Sequence, residues 1–567
     1  MKQLLQKILR RKRFETTPLD TNLKRCLTTF DVTMIGVGQT IGAGIYVLTG
    51  TVIRNTAGPS IVLSFILAGF AAFFSALCYA EFGSRFPKAG SAYSYAYIGC
   101  GEIWAFIIGW DVVLENMLSA AVVARAWSGY INVLADNAIK NFTIHHIGGL
   151  HTSIFSDYLD VLAFIIAIVI CVIMSGGVKG SATFNSLNGL LNIAMIAVVT
   201  IFAFIYADFN NWTGTTADGT SKFFPYGFSG TLAGAASCFF SFIGFDGLAT
   251  AGEEAKDPVK AIPKATFYCM GIVTTVYVLM SSAISLIAPY TEIDPDAAFV
   301  SAFKDRGAQI PVICVTIGAI CGMTGSMFGC LFALPRCVYA MAEDGLIFKF
   351  FSIVNPRTKV PIYAIAVFGL MTAIMAALFN VETLVDFLSS GTLMAYSMVA
   401  VCVIVLRYRQ DYSNDNRENR FFKLRIPNWI MKFTNTRSVV AGLIPMLFGF
   451  AGFGICMSSG FWSSGWAGKA CAILFLLFAC CCIIWIGLHS QNDDVLTFKV
   501  PFVPILPAFS LFLNTMMLAN LDYLVWIRFG IWLAVGLGIY FLYGMHHSLE
   551  GKKEKQLHVP PILTEKF

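Results

Sequence analysis

Fourteen apolar runs divide this chain of 567 residues, near 31–53, 60–80, 102–131, 158–175, 183–206, 229–251, 265–289, 311–341, 361–379, 383–406, 438–457, 467–488, 502–519 and 525–545. An apolar run of about 20 residues spans a bilayer as a helix, whereas a membrane barrel needs alternating segments of roughly 10. These runs do not alternate, so the expected fold is an all-α integral membrane protein. Composition removes the alternatives: 57% of residues are hydrophobic and 13% charged, against about 25% charged in an average soluble domain. That leaves too little polar surface for a soluble globule, a disordered chain or a coiled coil, and the diluted basic residues exclude a nucleic-acid binder. The bilayer itself is the first expected partner.

Basic residues give the expected sidedness. With the N-terminus cytoplasmic, the inside loops and tails hold 31 of the 39 Lys and Arg, and the outside loops hold five: Arg54, Lys140, Lys222, Lys304 and Arg306. That asymmetry follows the positive-inside rule and supports both helix count and orientation. The first 30 residues are basic and lack the apolar core and cleavage site of a secretory signal, so the first span is expected to serve as the insertion signal. Two sequons, Asn141-Phe142-Thr143 and Asn211-Trp212-Thr213, fall in outside loops and are candidate glycosylation acceptors at a cell surface. Most of the 16 Cys lie in apolar runs, so no disulfide framework is implied.

Two spans carry the sequence of a broken helix. The first reads Ile35-Gly36-Val37-Gly38-Gln39-Thr40-Ile41-Gly42-Ala43-Gly44-Ile45, and the sixth reads Phe239-Phe240-Ser241-Phe242-Ile243-Gly244-Phe245-Asp246-Gly247. Unwound backbone at membrane depth is tolerated only where it lines a cavity or is buried in protein. These are the first spans of two successive blocks of five, and an odd repeat inverts the second block. Paired Gly-interrupted segments of inverted repeats mark a transporter's midplane site; close helix packing is the competing reading. Freed amides at a half-helix N-terminus attract an anion and freed carbonyls attract a cation, so an α-amino acid fits the pair.

Few acidic residues lie within the spans. Asp111 and Glu115 are four residues apart and share one face of the third helix, with Glu115 near mid-depth. Arg125 is ten residues on, roughly 15 Å along the axis, too far to neutralise Glu115. Glu115 therefore needs a proton, a neighbouring polar group or a cationic substrate as partner. Glu102 and Arg125 sit nearer span ends, where snorkelling is easier, which favours a structural role for both. Glu253-Glu254 and Glu343-Asp344 lie at inside helix ends, suited to ion pairs rather than substrate contact.

The runs GVGQTIGAGIYVL (Gly36 to Leu48), CYAEFGSRFPKAGSAYSYAYIGCGEIWAFIIGWD…VARAW (Cys78 to Trp127), FIGFDGLATAGEEAKDPVKAIP and LPRCVYAMAEDGL resemble the cationic amino acid transporters of the amino acid/polyamine/organocation superfamily. The resemblance covers nearly the whole chain apart from tails and variable loops. It implies a leucine-transporter-like fold of two inverted five-helix repeats plus four further helices, working by alternating access. On that basis the expected division is an N-terminal tail (1–30), a first repeat (31–206), an outer loop (207–228), a second repeat (229–407), a charged loop (408–437), four helices (438–545) and a C-terminal tail (546–567).

The resemblance also implies site residues. The substrate carboxylate would meet backbone at Gly42, Ala43 and Gly44, and the α-amino group carbonyls of Phe240, Ser241 and Ile243, with Phe240 as aromatic gate; Ile45, Phe242 and Asp246 belong to the same segments. Glu102 stands where animal members carry a transport-related glutamate. Bacterial relatives carry a proton-coupling lysine where this chain has Asn192, which does not titrate, while Glu115 resembles their third-helix glutamate. Expected function is therefore sodium-independent, facilitated transport of arginine, lysine and ornithine at the plasma membrane, the lysosomal membrane being the lesser alternative. Competing readings are a proton-coupled carrier of small neutral amino acids and an amino acid sensor. No metal, cofactor or obligatory protein partner is expected, and the seven His, all in loops, tails or helix ends, give a membrane enzyme little support.

Overall fold

The computed structural model describes residues 10–12, 23–42, 44–88, 90–135, 138–148, 155–156, 158–215, 219, 221–293, 298–409, 436–458, 466–492, 497–521 and 523–552. All fourteen apolar runs are helical, and among the described residues β structure is limited to isolated bridges. Among the described residues ten helices are long and apolar enough to cross a membrane, and the fourth, ninth and thirteenth spans (Val161–Ser175, Ile362–Leu378 and Ile505–Ala519) are shorter. The chain is thus an all-α membrane protein.

Several helices outrun their apolar cores. The fifth is Val178–Ile205 and the seventh Pro258–Ile287, each starting before its apolar run. Their added turns, VKGSA and PVKAIPK, are polar or mixed, so hydropathy ends before the backbone ladder does. Pro258 stands at the start of the seventh helix, where its missing N–H costs nothing. Among the described residues, the short α-helices Ala92–Gly99, Ala138–Ile147 and Ala298–Asp305 lie between spans.

Helix contacts follow the repeat. The second span (Ile61–Arg85) packs on the seventh, the third (Glu102–Leu134) on the eighth (Gln309–Glu343), and the fourth on the ninth. Cross-contacts also come in related pairs: the first span on the seventh matches the sixth on the second, and the fifth on the eighth matches the tenth (Val381–Arg407) on the third. Advancing each member by five, cyclically over ten helices, exchanges one contact for the other, as a pseudo-two-fold between inverted repeats requires. The last four spans begin at Thr436, Trp466, Ile505 and Tyr523; the thirteenth packs against the second and tenth.

Described residues near each end of the chain, Arg10 and Ser548, meet on one side of this bundle, here termed the tail side. Arg10 donates to Ser548 Oγ at 3.3 Å and to Glu102 Oε2 at 3.2 Å. Tyr97 and Ser548 donate to the same carboxylate oxygen and Tyr540 to the other. Four donors around one carboxylate make Glu102 completely buried, and Arg125 is also buried, against Asp160 Oδ2 at 3.5 Å and Ser156. Neither snorkels; both are held by partners inside the protein. Arg10, Tyr540 and Ser548, and Ser156 and Asp160 before the fourth helix, lie over the span ends and bring the partners inward.

Candidate functional site

The first helix starts on a capping box, Thr28 with Asp31, and runs Thr29–Thr40. At Ile41 the backbone leaves helical geometry (ψ 88°), and helix resumes at Gly44–Leu48. The sixth span runs Gly227–Phe239, tightens to a 3-10 turn at Phe240–Phe242, turns out at Ile243 (ψ 135°) and restarts at Gly247. Gly244 sits at φ +117°, a conformation nearly confined to glycine. The breaks touch: a Cβ on Gly44 would lie 2.7 Å from the Ser241 Cα.

Breaking two helices frees carbonyls, and the neighbours satisfy them. The Tyr277 hydroxyl, on the seventh helix, lies 2.7 Å from the carbonyl oxygens of Thr40 and Ser241, one from each break. Ser326 Oγ on the eighth helix donates to the Gln39 carbonyl at 2.8 Å. The Phe240 carbonyl accepts from the Ile243 amide at 3.1 Å. Of the three carbonyls expected to meet an α-amino group, that of Phe240 already accepts one bond and that of Ser241 shares the single Tyr277 proton with Thr40.

A cavity of about 630 Å³ opens against the breaks. Its base is made by Gln39, Thr40, Gly44, Phe240, Ser241, Ile243 and Ser326. From Glu115 it follows the third helix past Ser119 and Ala126 to Gly129 and Tyr130, away from the tail side, a rise of about 21 Å. On the tail side, buried ion pairs join Arg336 to Glu254 at 3.3 Å and Arg407 to Glu81 at 2.7 Å. Further pairs, Lys88 with Glu253 and Lys12 with Asp344, continue the seal. Glu253, Glu254 and Asp344 therefore do form ion pairs at helix ends. In this state the cavity is closed toward the tails.

Glu115 lines the cavity, is buried, and has no hydrogen-bond partner at Oε2. One turn toward the tails, both oxygens of buried Asp111 are also without partners; Gly391 makes room there, since its Cβ would fall 2.6 Å from Asp111 Oδ1. Asp246 accepts from the Tyr396 hydroxyl at 3.2 Å. Among the described residues no ion pair involves Glu115, Asp111 or Asp246. Burying an unpaired carboxylate is costly, so the base of the cavity is disposed toward a cation or a proton.

The other expected residues divide. Gly44, Phe240, Ser241 and Ile243 line the cavity. Gly42 lies against Ser326, whose Cβ would be 2.5 Å from an added Cβ, and Ala43 lies outside the described residues. Ile45 and Phe242 are fully buried in the core, the Phe242 ring 5.1 Å from the Tyr277 ring; Asp246 sits beneath Tyr396. Asn192 accepts from the Tyr46 hydroxyl at 2.8 Å, binding the fifth helix to the first behind the cavity. Tyr277, Ser326, Tyr396 and Gln39 were not anticipated from sequence. Single hydroxyls and amides in apolar helices give no periodic signal, and only the paired break hints that such donors are required nearby.

An amino acid permease model matches residues 27–453, and a model of the C-terminus of such permeases matches 498–548. The mouse protein "Cationic amino acid transporter 4" is 39% identical, the match covering 97% of this chain and 92% of that one. The chain belongs to the cationic amino acid transporter family. Its human relative of the same name is 38% identical over 97% of this chain and 92% of its own. A Bacillus subtilis member, 31% identical over 97% of this chain and all of its own length, is named for methylthioribose transport. Family membership makes this chain a multi-pass transporter of the amino acid permease type. The site described above lies within the matched permease region.

Proposed function

We propose that this member carries cationic L-amino acids, arginine, lysine and ornithine, by sodium-independent facilitated diffusion through alternating access. The observation that carries the reading is Glu115, a buried carboxylate on the cavity wall that no described Lys or Arg pairs. The α-carboxylate would meet backbone at Gly42, Ala43 and Gly44, the α-amino group would meet the remaining lone pairs at Phe240, Ser241 and Ile243, and Phe240 would close over them. Asn192 has an amide where a proton-coupling lysine would stand, which supports uniport. Glu115→Gln is expected to lower kcat/KM for arginine by about 10- to 100-fold, a charge-assisted contact of roughly 1.5–3 kcal/mol, with alanine uptake less affected. Unchanged arginine preference in radiolabelled uptake would overturn the assignment.

A second reading, proton-coupled transport of small neutral amino acids, is favoured by Asp111, which lies one turn from Glu115 with both oxygens unpartnered. Uptake at clamped membrane potential separates the two, because only the coupled carrier is driven by an imposed proton gradient. Binding without turnover in the same vesicles would instead indicate a sensor.

For location, 31 basic residues on one side against five on the other support cytoplasmic tails. We place the protein in the plasma membrane, although an Arabidopsis relative 32% identical is named as vacuolar. The repeats are assigned to 31–206 and 229–407, with outer loop 207–228, charged loop 408–437, appended helices 438–545 and tails 1–30 and 546–567.

A further inference from the structure

Near the tail side, the thiols of Cys100 and Cys402 lie 3.5 Å apart. Cys100 follows the short helix Ala92–Gly99 and precedes the third helix; Cys402 is in the last third of the tenth. Gly99 permits this approach, since a Cβ there would fall 2.9 Å from Cys402 Sγ. Gly101, at φ +119°, completes a turn with glycine on both sides of Cys100. Cys402 is fully buried and Cys100 half-buried, so only Cys100 is open to a small oxidant. Its hydrogen bond with Cys402 holds the Cys100 thiol below its ordinary pKa, and the charge of Arg11 acts in the same direction. A thiolate beside a resolving thiol is the arrangement of a redox-reactive pair.

We propose that Cys100 and Cys402 are a reversible oxidation site, closed to a disulfide by a hydroperoxide, and that the bond locks the tail side shut. The Cys100 thiolate attacks one peroxide oxygen; an S–O bond forms and the O–O bond breaks, leaving Cys100 sulfenic acid and, from hydrogen peroxide, one water after protonation. The Cys402 sulfur then attacks Cys100 sulfur, the S–S bond forms, and the S–O bond breaks, hydroxide departing with the Cys402 proton as a second water. Two thiols lose two electrons, and the peroxide gains them. The new bond ties the tenth helix to the start of the third, two residues before Glu102 and its contacts with Arg10 and Ser548, and five residues before Arg407 with its ion pair to Glu81. Opening toward the tails requires these groups to part, so the linked protein cannot complete a transport cycle.

The effect on transport rests on the function proposed above, whereas the bond is read independently. Full-length protein in proteoliposomes is treated with hydrogen peroxide, alkylated and digested, and the Cys100 and Cys402 peptides are sought as one linked species lighter by two hydrogens. Amide hydrogen exchange across 92–102 and 396–409 is followed in parallel with arginine uptake. Expected are the linked peptide, slowed exchange, loss of uptake, recovery with dithiothreitol, and insensitivity of Cys100→Ser and Cys402→Ala. No linked peptide, unchanged exchange, or equal inhibition of Cys100→Ser would overturn the proposal. Linked peptide and slowed exchange in protein that takes up no arginine before treatment would sustain the lock and count against the substrate reading instead.

Discussion

Tyr277 has one hydroxyl proton and two carbonyls within reach of it, those of Thr40 and Ser241. A hydroxyl donates once, so one of the carbonyls is always without this donor. Tyr277→Phe removes this shared donor and leaves one more buried acceptor unpaired at the breaks, a loss of about 1–3 kcal/mol. The expected result is a lower thermal midpoint of the purified protein together with slower uptake. At this scale the sequence was unevenly informative. Glu115 stood out because a carboxylate inside an apolar run has few structural uses. Tyr277 and Ser326 did not, because hydroxyls are ordinary in spanning helices and their role depends on depth and rotation, which hydropathy does not encode.

Between the two broken spans, glycine sets the distance of approach. Gly44 faces the Ser241 backbone, which cannot yield, whereas a Cβ on Gly129, also on the cavity wall, would meet nothing within 4 Å. Gly44→Ala is therefore expected to abolish uptake or prevent folding, and Gly129→Ala to retain both; surface expression and uptake of the pair check this. The breaks themselves were legible, because close helix packing alone does not require glycine-interrupted runs at corresponding positions of two repeats. Helix lengths were not, because polar turns such as VKGSA extend the backbone ladder without adding hydropathy. The sequons divide for a local reason. Asn211 donates its amide to the Leu286 carbonyl at 2.8 Å and is half-buried, while Asn141 is exposed on Ala138–Ile147. A glycosidase shift assay is expected to lose its band change in Asn141→Gln and to keep it in Asn211→Gln.

For the molecule as a whole, the tail-side seal rests on buried charge. Glu81 accepts two bonds from Arg407, at 2.9 and 2.7 Å, and one from the Val500 amide at 2.7 Å. Arg407→Met strands the carboxylate, and breaking such a pair costs about 3–5 kcal/mol. The thermal midpoint is expected to fall sharply, and Glu81→Gln in the same background to restore part of it, a coupling that a double-mutant cycle measures. The repeat and the all-α membrane class could be read from apolar runs and an odd repeat count. That both tails converge on Glu102 could not, since nothing in local sequence links positions so far apart.

That convergence sets an order of events during synthesis. Arg10 and Ser548 are 538 positions apart, yet both hydrogen-bond to Glu102. A nascent chain has Arg10 and Tyr97 available as soon as the third helix is made, but lacks Tyr540 and Ser548 until the fourteenth has emerged. The Glu102 carboxylate thus gains its full set of donors only once the final helix is made, and a chain stopped short of it leaves the ribosome with that site unfinished.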